Sequence, residues 1–173
     1  MDLRFTRPSL RTLDQAGTEV LVASIATDER PPHGVAGLVD WRLAGKVSHL
    51  LEEGFIEGSV GEVTLIPGRP KLPFDKLILF GVGERTQFNE RIFNFVVDAI
   101  LETLEGLRVR AAVVELPGRP FEGIAPERAA DLLLERADPR RDHDVWTLVE
   151  DAVAQRAIAQ KLQGRRRIRT VLA

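Results

Sequence analysis

The chemistry this sequence could perform starts from two glycine-bearing stretches, each placed after an apolar run and before a helical pattern. The first is His33-Gly34-Val35-Ala36-Gly37-Leu38. A loop that leaves a buried strand and opens a helix presents backbone N–H groups that can cradle an anion. The second is Phe80-Gly81-Val82-Gly83-Glu84. It has the strand–glycine–helix order of a phosphate site but lacks the third glycine of a dinucleotide fingerprint. The alternative is a tight turn feeding the next helix. A third feature is an echo: Ile66-Pro67-Gly68-Arg69-Pro70 and Leu116-Pro117-Gly118-Arg119-Pro120 each follow a strand-like run. The plain reading is two surface turns. The sharper one places Arg69 and Arg119 at the carboxyl edge of a sheet, where α/β folds bind ligands. The candidate ligand-binding residues are therefore His33, Gly34, Val35, Gly37, Gly81, Gly83, Arg69 and Arg119.

Other chemistries are excluded by what the 173 residues lack. There is no Gly-x-Ser-x-Gly elbow, no His-Glu-x-x-His and no phosphate loop ending in Gly-Lys-Ser/Thr. Cysteine is absent, which removes thiolate nucleophiles and cysteine-ligated metals. His33, His49 and His143 lie far apart in sequence. Asp142-His143-Asp144 looks like a ligand triplet, but alternate residues on a strand point to opposite faces, and a solvated loop is expected there. No metal site and no cofactor is expected.

Charge separates body from tail. The net charge is −2, yet the last thirteen residues hold Lys161, Arg165, Arg166, Arg167 and Arg169 and no acid. Residues 1–160 therefore carry −7. Nucleic-acid contact through the four tail arginines would give a log–log salt slope of about −3.6. The acidic body and the lack of interleaved aromatics argue against it. Residues Met1–Pro8 show no signal-peptide pattern, and no run of 18 apolar residues occurs. The expectation is a cytoplasmic chain that does not cross a membrane.

The elements that must position these groups follow from periodicity. Strands are predicted for Leu3–Leu10, Glu19–Ala26, Val63–Ile66, Lys76–Phe80, Arg110–Leu116 and, as the last, Asp144–Val149. Helices are predicted for Val35–Leu43, resuming at Lys46–Glu53 after Gly45. Ile92, Phe93, Val96, Val97, Ile100, Leu101 and Leu104 mark the strongest amphipathic helix, with Gly106 as its cap. Pro126 opens another at its preferred first position, and Asp151–Leu162 is the last, stopped by Gly164. Alternating strands and helices predict an α/β fold, a three-layer α/β/α sandwich with a mixed central sheet. A single domain over residues 1–163 and a basic C-terminal tail over residues 164–173 are expected.

The order of these segments resembles the N-terminal domain of the leucyl aminopeptidase family. Gly37-Leu38-Val39-Asp40 matches that family's Gly-x-Leu/Val-Asp helix residues. Leu51-Glu52-Glu53-Gly54-Phe55-Ile56-Glu57-Gly58 matches its acidic, glycine-containing stretch, and Leu79-Phe80-Gly81-Val82-Gly83 its glycine-ended strand. The resemblance covers roughly residues 18–150. It implies a fold similar to a macro domain, a module that elsewhere binds ADP-ribose, and Gly34-Val35-Ala36-Gly37-Leu38 resembles the phosphate loop of such domains. The triple glycine and the preceding Asn-Ala-Ala-Asn of that loop are missing. In the family the two metal ions and the catalytic groups belong to the C-terminal domain. Its signature, Asn-Thr-Asp-Ala-Glu-Gly-Arg-Leu, does not occur here. The resemblance thus implies a non-catalytic binding, regulatory or assembly module. Its partners would be itself or a separate aminopeptidase catalytic chain. The alternatives are a nucleotide or ADP-ribose binder and nucleic-acid contact through the tail.

Overall fold

Short β-branched runs form the sheet, and the amphipathic segments between them cover it. In the computed structural model, residues 1–140, 143–162 and 170–171 are described. The elements are β1 (Asp2–Thr6), α1 (Leu10–Gln15), β2 (Val20–Ile25), α2 (Gly34–Arg42), α3 (Lys46–Glu52), β3 (Val63–Pro67), β4 (Lys76–Gly81), α4 (Glu90–Gly106), β5 (Ala111–Val114), α5 (Pro126–Ala137), β6 (Val145–Val149), α6 (Ala152–Leu162) and β7 (Thr170–Val171). The strands form one sheet in the order β3-β4-β2-β5-β6-β1-β7. Every neighbouring pair is parallel except β3–β4. The sheet is therefore mixed, as its sequence pattern predicts.

Side-chain alternation sends the apolar residues to two cores. Leu3, Phe5, Val20, Val22, Ile78, Phe80, Val114 and Trp146 pack with Phe93, Val97 and Ile100 of α4 and with α5 and α6. Leu21, Ala23, Ile25, Leu77 and Leu79 face the opposite way, onto α2, α3 and Leu13 of α1. Strand β2 is buried along all six residues, which explains its unbroken apolar sequence. The two helical layers are the outer layers of the expected sandwich.

Two caps fix helix positions. Asn89 starts α4 by accepting from the N–H groups of Arg91 and Ile92. Buried Asp40, within α2, accepts from Val47 N–H at 2.7 Å, Ser48 N–H at 3.1 Å and Ser48 Oγ at 2.6 Å, so it caps α3 from a distance. Gly45, at φ +78°, makes the reversal between the two helices.

Several boundaries differ from the sequence expectation. The strand expected over Leu3–Leu10 stops at Thr6, because Ser9 caps a short helix by accepting from Thr12 N–H. Gly106 is the last helical residue rather than the cap, and Arg108 takes the left-handed conformation at φ 57°. A two-residue strand, β7, follows the strand expected to be last and pairs with β1. His143 is buried, with its ring edge-to-face on Trp146 and Nε2 3.2 Å from Glu105, instead of lying on a solvated loop.

Phe93→Ala empties a fully buried site in the first core and is expected to cost about 3–5 kcal/mol. Val153→Ala on the exposed face of α6 is expected to change stability by less than about 0.5 kcal/mol. Urea unfolding of the two variants checks the contrast.

Candidate functional site

Three parallel strands end at one edge, and each is followed by an acid, directly after β5 and β6 and four residues after β2. Glu29 follows β2, Glu115 follows β5 and Glu150 follows β6; all three are buried. Each is held differently.

Glu29 folds back on its own loop. Its carboxylate accepts from Ala26 N–H at 3.2 Å and from His33 N–H at 2.8 Å. The exposed imidazole of His33 lies 3.3 Å from the same oxygen. Glu115 reaches across the edge and accepts from Val35 N–H, in the first turn of α2, at 2.8 Å. Its second oxygen is buried without a hydrogen-bond partner. Burial pushes the Glu115 pKa up to about 8, with the Val35 bond opposing and the charges of Glu29 and Glu150 adding to the rise. At neutral pH this side chain is a neutral acid. Glu150 is gripped by Arg119 through two bonds of 2.8 and 3.0 Å. Arg119 also donates to the Ile124 carbonyl at 2.7 Å. Burial raises the Glu150 pKa even so, against the pull of Arg119.

The candidate glycines serve these contacts. Gly34 has φ +56°, and a Cβ there would lie 2.5 Å from the Glu115 oxygen. Any side chain at Gly37 would collide with the Pro32 carbonyl. Both glycines let the loop close down on Glu115 and Pro32. In the second stretch the backbone donors are already taken. Gly81 N–H donates to the Glu62 carbonyl, Val82 N–H to Ile25 and Gly83 N–H to Gly58. Gly81 is also pressed against the Ser59 carbonyl, so it is a packing position. The facing loop holds an anion of its own: the Glu62 carboxylate accepts from the N–H groups of Glu57, Gly58 and Ser59.

His33, Gly34, Val35, Gly37 and Arg119 thus gather around the carboxyl edge, while Gly81 and Gly83 lie against the loop at residues 57–62. Arg69 does not join them. Strand β3 runs antiparallel to β4, and Pro67 sits opposite Lys76, the first residue of β4. Arg69 therefore lies at the opposite, amino edge, exposed and paired with Asp75. This corrects its expected placement. Arg165, Arg166, Arg167 and Arg169 lie outside the described residues. Among the described residues, no group of three or more His, Asp or Glu is placed to hold a metal ion. The three edge carboxylates were absent from the sequence-based candidates. Their signal was present: Glu115 and Glu150 each directly follow an apolar strand, at the edge where α/β sites lie.

Residues 20–138 match the cytosol aminopeptidase family, N-terminal domain. The chain belongs to that family. A probable cytosol aminopeptidase of Halorhodospira halophila is 36% identical over 88 residues, covering 51% of this chain and 18% of that protein. The cytosol aminopeptidase of Pseudomonas aeruginosa is 30% identical over 100 residues, covering 58% and 20%. The match spans about a fifth of these cytosol aminopeptidases. Among solved structures, a Trypanosoma brucei macrodomain in complex with ADP aligns at a TM-score of 0.70 with 15% identity, over 93% of this chain and 69% of that one. A macrodomain of Mycobacterium tuberculosis DarG gives 0.68 with 14% identity, over 86% and 98%. Tomato leucine aminopeptidase gives 0.59 with 13% identity, over 93% and 35%. The fold of this cytosol aminopeptidase N-terminal domain is macrodomain-like.

Two outcomes test the site. Glu115 has a folded pKa near 8 against an unfolded value near 4.5, so the folded state holds the extra proton. Its contribution is full below about pH 4.5 and lost as pH rises through 8. Glu115→Gln, a permanently neutral substitute, is expected to gain on the parent by more than about 1 kcal/mol between pH 5 and 8.5, about 2–4 °C in Tm. Tm measured across that range checks the sign. Arg119→Met strands Glu150 as a buried, unpaired carboxylate and is expected to cost about 3–5 kcal/mol, read by urea unfolding.

Proposed function

We propose that this chain is a non-catalytic assembly module that associates with an aminopeptidase catalytic chain or domain. The observation that carries this reading is the filling of the crevice by the protein's own groups. The Val35 N–H at the start of α2, where a phosphate loop would hold its anion, is occupied by Glu115. The Gly81 and Gly83 donors are bound to loop carbonyls. A domain whose inner donors are taken in this way works through its outer surface. Membership of the cytosol aminopeptidase family supports the choice of partner, and the names of the relatives support a cytosolic setting. No helix among the described residues is long and apolar enough to cross a membrane.

Nucleotide or ADP-ribose binding is the second reading, because macrodomain neighbours were solved with ADP. A ligand at 100 times its dissociation constant stabilises the folded state by about 2.7 kcal/mol. Millimolar ADP-ribose is expected to leave the Tm unchanged, and a rise of several degrees would favour the nucleotide reading instead. Mixing the tagged chain with a cytosol aminopeptidase catalytic domain is expected to give co-elution on size exclusion. Separate elution at tens of micromolar would remove the assembly reading.

A further inference from the structure

The outer edge of β3 is bare and apolar. Among the described residues nothing pairs with it. Val63 and Leu65 are 44% and 49% exposed, and Phe95 on α4 is 54% exposed. Val63 and Leu65 stand opposite Phe80 and Ile78, which pack in the core beneath α4, so both residues share the α4 face of the sheet. Phe95 lies against Gly61, just before β3. The three make one stripe beside the open edge. Edge strands are usually guarded by charge, but Val63-Thr64-Leu65-Ile66-Pro67 contains none.

The backbone says what fits there. The Glu62 carbonyl accepts from Gly81 and Gly68 N–H donates to Asp75, so residues 62, 64, 66 and 68 bond to β4. Val63, Leu65 and Pro67 therefore direct their backbone groups outward. We propose that the β3 edge is a self-association surface, on which a second copy of this chain adds its own β3 antiparallel about a two-fold axis at Thr64. In that register Val63 of each copy exchanges both backbone bonds with Leu65 of the other, and all four outward groups of each copy's two residues are satisfied. Pro67, which has no N–H to give, falls outside the paired core. A register centred on Leu65 would instead set Pro67 against Val63 and leave the Val63 carbonyl unbonded. The two-fold axis stands normal to the sheet, so the apolar stripes of both copies join on one face. Charge agrees through one pair. Glu57 precedes the strand and Lys71 follows it, so antiparallel pairing about Thr64 sets acid on the side of the copy's base at both ends. Glu62 and Arg69 keep their own partners, in the loop at residues 57–59 and in Asp75.

This surface rests on the assembly reading and adds a partner of its own to it. The chain has no cysteine, so one introduced thiol reports one contact. Thr64→Cys faces its copy across the axis as a non-hydrogen-bonded pair, with Cα atoms about 4.5 Å apart, within disulfide range. It is expected to oxidise to a covalent dimer. In the same register Leu65→Cys is more than about 7 Å from its copy and is expected to remain largely unlinked. Light scattering of the parent chain at tens of micromolar is expected to give twice 19.2 kDa. Leu65→Lys is expected to return it to one copy, and Val153→Lys, on exposed α6, to leave the dimer intact. A monomeric parent, Leu65→Cys linking as readily as Thr64→Cys, or equal loss from Val153→Lys would each overturn the proposal. A monomer that still co-elutes with an aminopeptidase catalytic domain would sink self-pairing alone and leave the assembly reading standing.

Discussion

The contact between Glu115 and the first turn of α2 ties the two halves of the fold together. It joins the end of β5 to the start of the helix that follows its sheet neighbour β2, across 80 residues of sequence. Everything at the carboxyl edge is arranged to permit it. Gly34 adopts a left-handed backbone to make room, Gly37 lets the loop rest on Pro32, and Glu29 holds the loop's entry by accepting from His33. Placing an acid against a helix N-terminus is favourable in itself. Here burial outweighs that attraction, and the acid stays protonated.

The neighbouring Glu150–Arg119 pair shows the other way to keep a carboxylate inside. A two-pronged guanidinium grip, anchored on the Ile124 carbonyl, opposes but does not cancel the desolvation that Glu115 meets by staying neutral. Side by side, the two acids tie the macrodomain-like edge to Val35 N–H and to Arg119, with one Glu115 oxygen buried without a partner. The match to the cytosol aminopeptidase family is to its N-terminal domain, about a fifth of the length of those relatives.

Much of this was legible in the sequence. The unbroken apolar run of β2, the i, i+4 face of α4 and the proline opening α5 each gave a local signal strong enough to locate an element. Strand direction carried no such signal. The two Pro-Gly-Arg-Pro turns read alike, yet one follows an antiparallel edge strand, and that reversal sends Arg69 to the far side of the molecule. The role of the glycines was also hidden. A glycine that accommodates a carboxylate from a distant strand looks, in one dimension, like a glycine that accommodates a phosphate. Ser9 and Asp40 show the reach of capping: the first shortens a strand, and the second governs a helix that begins six residues later.

The neutral state of Glu115 has a calorimetric consequence. An unfolded chain at pH 7 releases that proton to the solvent, since a free glutamate is ionised there. Folding must therefore draw a proton from the buffer. The heat of unfolding recorded for this domain then includes the heat of protonating whichever buffer surrounds it. Phosphate and Tris, whose protonation heats differ widely, would return different enthalpies for one and the same transition.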